Sequence, residues 1–251
     1  MTPSIEKSPL RDQVVLITGG ARRVGAEIVR TLHAAGAKLL VHYRSSAAAA
    51  ITLADELNKI RPGSVAIHAA NLLAEGTPEM LVAATVMEFG RLDILINNAS
   101  SFYPTPVGQI TAAQWDDLIG SNLKAPLFMA QAAAPRLRAQ RGLIINMVDI
   151  HAVRPLKDHP VYCAAKAGLA MLTRSLAREL GPEVRVNGIA PGPVLWPEGD
   201  MDEALKREII EKTALKRAGS PQDIARTALF LAQDAPYITG QIIAVDGGRS
   251  I

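Results

Sequence analysis

Short apolar, often β-branched runs alternate along this chain with longer stretches in which apolar residues recur three or four apart. Val14 to Thr18 is one such run, and Gly19-Gly20 breaks it, as expected of a buried strand and its turn. Gly25 then opens a helical pattern through Ile28, Val29 and Leu32 that closes at Gly36, a C-cap residue. The alternation continues with a strand at Lys38 to Tyr43, an alanine-rich helix at Ala47 to Leu57 and a strand at Ser64 to Ala70. A helix with Pro78 in its first turn runs to about Phe89, and Leu92 to Ile96 is the fourth strand. Trp115 to Met129 reads as a helix interrupted by Pro126. Asn122 in its middle competes for backbone hydrogen bonds and marks a local kink that frees a carbonyl.

The second half follows the same rule. A fifth strand, Leu143 to Val148, precedes a helix from Val161 to Leu180 that Gly181-Pro182 ends, and Val184 to Ala190 is the sixth strand. Pro191-Gly192-Pro193 opens an irregular segment through Trp196 and Pro197, followed by a charged helical piece from about Asp202 to Lys212. A long insertion after a strand's carboxyl end predicts a substrate lid at about 194–217. The last helix starts after Ser220 with Pro221 at its first position, and Gln241 to Val245 supplies a seventh strand. No repeat, low-complexity tract or linker interrupts residues 1–251, so one α/β domain with a doubly wound parallel sheet is expected.

Composition narrows the function. A chain 49% apolar and 20% charged suits a compact α/β enzyme better than a disordered or fibrous protein. The net charge is only +3 despite a pI near 9.1, and its basic residues are scattered among acids, so no nucleic-acid partner is expected. The single cysteine, Cys163, excludes an intrachain disulfide framework and offers no metal-ligand cluster. No apolar run approaches the ~18 residues of a membrane span. The first thirteen residues show no signal-like hydrophobic region, so a reducing cytoplasm is the expected location and no membrane the expected partner.

Candidate chemistry concentrates in two places. The strand-glycine-helix sequence around Gly19 brings backbone N-H groups and a helix N-terminus toward a dinucleotide pyrophosphate. Arg44-Ser45-Ser46 closes the second strand where an NAD-selective enzyme usually carries an acid, so a guanidinium and hydroxyls there predict NADPH. Asn71-Leu72 borders the adenine side, and Phe102 and Tyr103, in a loop outside any apolar periodicity, offer a stacking face for a flat ligand. The second place runs from Asp149 to Lys166. Tyr162 and Lys166, four apart on one helix face, place an ammonium near a phenol and predict a lowered tyrosine pKa. Asp149, thirteen residues before Tyr162, falls at a strand's carboxyl end, where open α/β sheets hold their ligands.

Taken together and in this order, Thr18-Gly19 with Gly25, Asn97-Asn98-Ala99, Asn122, Tyr162 with Lys166, and Pro191-Gly192 resemble the short-chain dehydrogenase/reductase family over nearly the whole chain. The resemblance implies a Rossmann-type, seven-stranded sheet, usually in a homotetramer or dimer. Tyr162 would be the proton donor, Lys166 would hold the nicotinamide ribose, and Asn122 would hold a relay water. Two departures narrow it further: Arg23 stands in place of the family's middle glycine, and Asp149 in place of its usual serine. With His42-Tyr43-Arg44-Ser45, Asn97 to Pro106, Asn146 to Asp149, and Tyr237 to Gly240, they resemble the pteridine reductases, which reduce pterins with NADPH.

That subgroup implies that Arg23 touches cofactor phosphate and substrate, that Ser100 bridges the two, and that Phe102 sandwiches the pterin. Further cofactor contacts are expected from Gly19, Val24, Tyr43, Arg44, Ser45, Asn71, Leu72, Asn98, Ala99, Asn122, Lys166, Pro191 and Gly192. Asn71 replaces an aspartate often found beside adenine. Asp149, Tyr162 and Lys166 form the expected catalytic set. A carboxylate would repel a developing alkoxide, whereas hydride delivered to a pterin carbon leaves charge on a ring nitrogen that must gain a proton. The expected activity is NADPH-dependent reduction of a dihydropterin to the tetrahydro form, with oxidised pterin or dihydrofolate as further acceptors. The alternatives are a carbonyl reductase, such as a 3-oxoacyl-carrier-protein reductase, and a non-catalytic nucleotide-binding sensor.

Overall fold

The structure is a computed structural model that describes residues 10–194, 196 and 202–251. Its strands are β1 (Val14–Ile17), β2 (Lys38–Tyr43), β3 (Val65–Ala69), β4 (Ile94–Asn97), β5 (Leu143–Met147), β6 (Arg185–Pro191) and β7 (Ile242–Val245). All pair in parallel, in the order β3-β2-β1-β4-β5-β6-β7. The order reverses between β1 and β4, so the crossovers diverge there and leave a crevice at the strands' carboxyl ends.

Helices α1 (Arg23–Ala34), α2 (Ala47–Ile60) and α8 (Pro221–Gln233) cover one face of the sheet. The other face is covered by α3 (Thr77–Phe89), α5 (Ala125–Gln140) and α6 (Pro160–Leu180). Strand residues alternate between the two apolar cores: Val15, Ile17, Ile94, Ile96 and Ile145 face the first, and Leu16, Leu95 and Ile144 the second. Both faces are therefore buried, which is why the strands read as continuous apolar runs. No helix among the described residues is long and apolar enough to cross a membrane.

Two stretches differ from expectation. The helix expected at Trp115 to Met129 is three pieces: α4 (Ala112–Ile119), a π-helical turn at Gly120–Lys124, and α5. A capping box of Thr111 and Gln114 starts α4, and α5 continues to Gln140 through an internal Pro135. A proline there removes one ladder bond, at a cost of roughly 3 kcal/mol. Burial of Ala130, Ala133, Ala134 and Leu137 offsets it. Of the segment expected to form a lid, α7 (Glu203–Glu211) is present and buries no residue. Residues 195 and 197–201 of that expectation lie outside the described residues.

A buried histidine makes stability depend on pH. His33 Nε2 lies 2.8 Å from the buried Ser64 Oγ, whose own hydrogen goes to the carbonyl of Arg61. Burial, and secondarily Arg61, holds His33 below the usual 6.5. The unfolded chain thus takes up this proton at a higher pH than the folded chain. The associated stability is present above about 6.5 and is lost as pH falls toward the folded value. The thermal midpoint of His33→Gln is expected to fall less than that of the wild type between roughly pH 7 and pH 5; parallel falls would remove His33 as the titrating group.

Candidate active site

The crevice is built from polar residues that end β1 and β4. Thr18 Oγ1 accepts the N-H groups of Asn98 at 3.0 Å and Ala99 at 3.1 Å. Asn98 Nδ2 answers by donating to the carbonyls of Thr18 at 3.0 Å and Gly19 at 2.8 Å. The turn after β1 is therefore clasped to the end of β4. Gly19 has φ +61°, and its missing Cβ would stand 2.9 Å from Ala99 Cα. Gly25, in the first turn of α1, has no room for a Cβ against the Gly19 carbonyl and Asn98 Nδ2. Only glycine lets α1 approach this closely.

A cleft of about 370 Å³ opens above this turn, lined by Gly19, Arg22, Arg23, Val24, Gly25, His42, Arg44, Asn71, Leu72, Leu73, Asn98, Ala99, Ser100, Ser101 and Ser121. Its chemistry fits a dinucleotide phosphate chain. The first turn of α1 carries no acidic residue and has no side-chain cap among the described residues, unlike α4 and α8, which have capping boxes. Backbone N-H groups at such a terminus favour an anion. The guanidinium of Arg23 also donates to the Trp196 carbonyl at 2.9 Å, which ties the start of α1 to the segment after β6.

The π-helical turn brings Asn122 beside the loop after β4. Asn122 Nδ2 donates to the carbonyls of Ser101 at 2.9 Å and Leu118 at 3.0 Å, and Oδ1 accepts Ser100 Oγ at 2.7 Å. The expected kink is thus present, with its side chain spent on bracing the Ser100-Ser101 backbone. That loop carries Phe102, 46% exposed. Its ring stacks on His159 at 4.8 Å and meets Tyr162 edge-on at 4.9 Å.

Asp149 stands two residues past the end of β5 and uses both carboxylate oxygens. Oδ1 accepts the His151 N-H at 2.8 Å, capping a short 3-10 turn at Ile150–Ala152. Oδ2 accepts the Tyr162 hydroxyl at 2.8 Å. Lys166, one turn along α6, is fully buried; its ammonium donates to the Met147 carbonyl at 2.8 Å and lies 5.5 Å from the Tyr162 ring centre. The expected lowering of the tyrosine pKa is not found. Burial first, then the charge of Asp149 and its hydrogen bond, hold the phenol well above its ordinary value, with only the Ser100 hydroxyl opposing. Burial lowers Lys166 from 10.5 to about 8, against the attraction of Asp149.

A family model described as enoyl-(acyl carrier protein) reductase matches residues 19–250. The chain is 39% identical to pteridine reductase 1 of Leishmania tarentolae, covering 95% of this chain and 96% of that protein. It is 35% identical to the 3-oxoacyl-(acyl-carrier-protein) reductase FabG of Staphylococcus aureus (93% and 96%) and 33% identical to the short-chain dehydrogenase/reductase FrzI of Cladobotryum sp (95% and 96%). The chain belongs to the short-chain dehydrogenase/reductase family.

As a short-chain dehydrogenase/reductase it is an oxidoreductase whose relatives use nicotinamide cofactors. Of the residues expected to serve this family's cofactor, Gly19, Arg23, Val24, Arg44, Asn71, Leu72, Asn98, Ala99 and Ser100 line the cleft, whereas Tyr43, Ser45, Asn122, Lys166, Pro191 and Gly192 do not. Pro191 and Gly192 stand at the carboxyl end of β6, with Gly192 N-H on the Val245 carbonyl at 3.1 Å. Several residues at the site were given no role from sequence. Arg22 and His42 line the cleft, His159 backs Phe102, and Asp117 of α4 lies 3.9 Å from Arg44 while accepting Tyr103 Oη at 3.0 Å. Arg22 and His42 lay within the motifs themselves. Asp117 lay 73 positions from Arg44, on a separate element, with no pattern to connect them.

Asp149→Asn removes the charge that ranks after burial in holding up the Tyr162 phenol, so Tyr162 is expected to ionise at lower pH in this variant. Ultraviolet titration of the tyrosines, with Tyr162→Phe to assign the signal, reads the shift. An unchanged titration would uncouple the carboxylate from the phenol.

Proposed function

We propose that the protein is an NADPH-dependent pteridine reductase that converts a dihydropterin to its tetrahydro form, with oxidised pterin or dihydrofolate as a further acceptor. The observation that carries this reading is the 2.8 Å hydrogen bond from the Tyr162 hydroxyl to the Asp149 carboxylate. At the position from which a neutral hydroxyl would steady a developing alkoxide, this chain presents an acceptor. Reduction of a C=N bond adds hydride to carbon and a proton to nitrogen, so the site needs a proton held beside the acceptor. Bound NADPH supplies the hydride. Tyr162 Oη holds the proton, Asp149 Oδ2 fixes its direction, and a ring nitrogen gaining electron density competes with Asp149 for it. The Lys166 ammonium lies 5.5 Å from the phenol ring centre while donating to the Met147 carbonyl. Phe102, half-exposed and braced by His159, offers its ring to a flat heterocycle.

In the same reading Arg23, Ser100, Phe102, Asp149 and Tyr162 contact the substrate, and Lys166 and Asn122 serve the nicotinamide end. The segment 194–217 acts as lid, with Arg23 on the Trp196 carbonyl as its tie. Leu127, Phe128 and Met171, exposed on α5 and α6, suit burial in a homotetramer, and Cys163 suits a reducing cytoplasm.

A second reading, reduction of 3-oxoacyl thioesters, draws on the similarity to the Staphylococcus aureus protein. Steady-state NADPH oxidation separates the two. Turnover is expected with 7,8-dihydrobiopterin, dihydromonapterin or dihydrofolate, and turnover confined to ketones or 3-oxoacyl thioesters would overturn the pterin reading. Inertness with every acceptor despite tight NADPH binding would favour the sensor.

Cofactor choice rests on Arg44, whose side chain is 63% exposed and whose 3.9 Å ion pair with Asp117 is a weak rival to a phosphate. Arg44→Ala is expected to raise KM for NADPH roughly tenfold, with a much smaller change for NADH. An equal loss for both cofactors would count against recognition of the 2′-phosphate.

A further inference from the structure

His42 sits on β2, between β1 and β3, and its side chain is only 2% exposed although it borders the cleft. Its ring makes two hydrogen bonds to two different strand ends. Nδ1 lies 3.2 Å from the Gly19 N-H, in the turn after β1, and Nε2 lies 3.0 Å from the Ala70 carbonyl, after β3. A backbone N-H only donates and a backbone carbonyl only accepts. The ring is therefore the neutral tautomer with its proton on Nε2. The His42 carbonyl meanwhile accepts the Gly20 N-H at 3.0 Å, so one residue holds both consecutive amides of the glycine turn. On its other side the turn is held through the Gly19 carbonyl by Asn98 Nδ2 at 2.8 Å.

We infer that His42 is a positioning residue for dinucleotide binding, a neutral imidazole strut that sets the glycine turn and the Asn71-Leu72 loop at a fixed distance from one another. The inference rests on the reading of the cleft as the cofactor site. The turn addresses the phosphates, and the Ala70 carbonyl immediately precedes the loop that borders the adenine side. The Thr18-Gly19 peptide is held on its carbonyl side by Asn98 Nδ2 at 3.0 Å, and His42 Nδ1 holds its amide side. Loss of the Nδ1 acceptor would leave a desolvated N-H without a partner and the peptide held from its carbonyl side alone. His42 need not touch the cofactor; it acts through the geometry of the two segments that do.

The test compares substitutions that imitate one ring nitrogen at a time. Asparagine places an amide oxygen near the position of Nδ1, and glutamine reaches the position of Nε2. Dissociation constants for NADPH and NADH, from nucleotide fluorescence titration of the purified full chain, are expected to rise roughly tenfold for both nucleotides in His42→Ala. His42→Asn should restore most of that loss and His42→Gln little of it, while KM changes more than kcat. Wild-type affinity in His42→Ala, or equal affinities for the Asn and Gln variants, would overturn the strut. If the alanine variant does not fold, nitrogen-15 NMR of the wild type decides. A protonated Nε2 with an unprotonated Nδ1, and a Gly19 amide protected from exchange, support the inference; a cationic ring or the other tautomer refutes it. Because the strut serves parts common to both nucleotides, a chain that binds only NADH would refute the NADPH assignment and leave the strut testable. Binding of neither nucleotide would overturn both.

Discussion

Polar groups brought to the carboxyl ends of the central strands are largely paired within the chain, Asn97 Oδ1 being an exception, and the arrangement of the site follows from that pairing. Thr18 is the pivot. Its hydroxyl accepts from Asn98 and Ala99 and lies 3.4 Å from the Ile96 carbonyl, to which it donates, so its full hydrogen-bonding capacity is used. Asn98 closes the loop by donating to Thr18 and Gly19. This reciprocal clasp joins β1 to β4 at the switch point, and it takes the space in which a side chain at residue 25 would have to sit. The glycine in the first turn of α1 is thus a consequence of the clasp.

A second polar line seats α6. Asn97 Nδ2 donates to Asn146 Oδ1 at 2.9 Å, Asn146 Nδ2 donates to Thr173 Oγ1 at 2.9 Å, and Thr173 Oγ1 donates to the Leu169 carbonyl at 2.8 Å. All three side chains are buried, where an unmade bond costs roughly 1–3 kcal/mol, so the line resists sliding of the helix along the sheet. Tyr162, Lys166, Leu169 and Thr173 recur at helical spacing on the buried face of α6. Fixing Thr173 against β5 therefore also fixes the phenol and the ammonium. The Lys166 ammonium ends on the Met147 carbonyl, two residues before Asp149, which brings the three polar groups within one short arc of chain.

The strands and most helices were legible because their apolar periods were unbroken, and because both sheet faces are covered. Gly19, Tyr162, Lys166 and Asp149 were legible from residue type, spacing and family resemblance together. Other features had no sequence signal strong enough to expose them. Pro135 contradicts a helix locally, and only the packing of Ala130, Ala133 and Leu137 against the sheet makes α5 continue past it. His42 lies inside an apolar strand run, where its period alone reads as core; its function appears only once Gly19 and Ala70 are seen on either side. The Tyr162 shift runs opposite to the expectation because spacing reports which side chains are near one another, and not how much water each has lost. Burial outweighs a lysine whose ammonium is turned onto a backbone carbonyl.

Asp149 differs from a hydroxyl residue in one respect that decides how the site works. An ionised carboxylate has acceptors only. Because Oδ1 is committed to the His151 N-H, Oδ2 is left to accept, and the Tyr162 proton must point toward it. Burial first, and then this carboxylate, make the phenol a worse acid in the resting site, as its raised pKa records. A proton held in this way leaves only for an atom that becomes basic enough to take it from the phenol oxygen, and that displaces Asp149 Oδ2 as its hydrogen-bond partner. On the proposed reading, a pterin ring nitrogen meets that condition as hydride reaches the neighbouring carbon, and no earlier. Proton transfer then follows the chemistry of the acceptor, and a poor acceptor leaves the proton where Asp149 holds it.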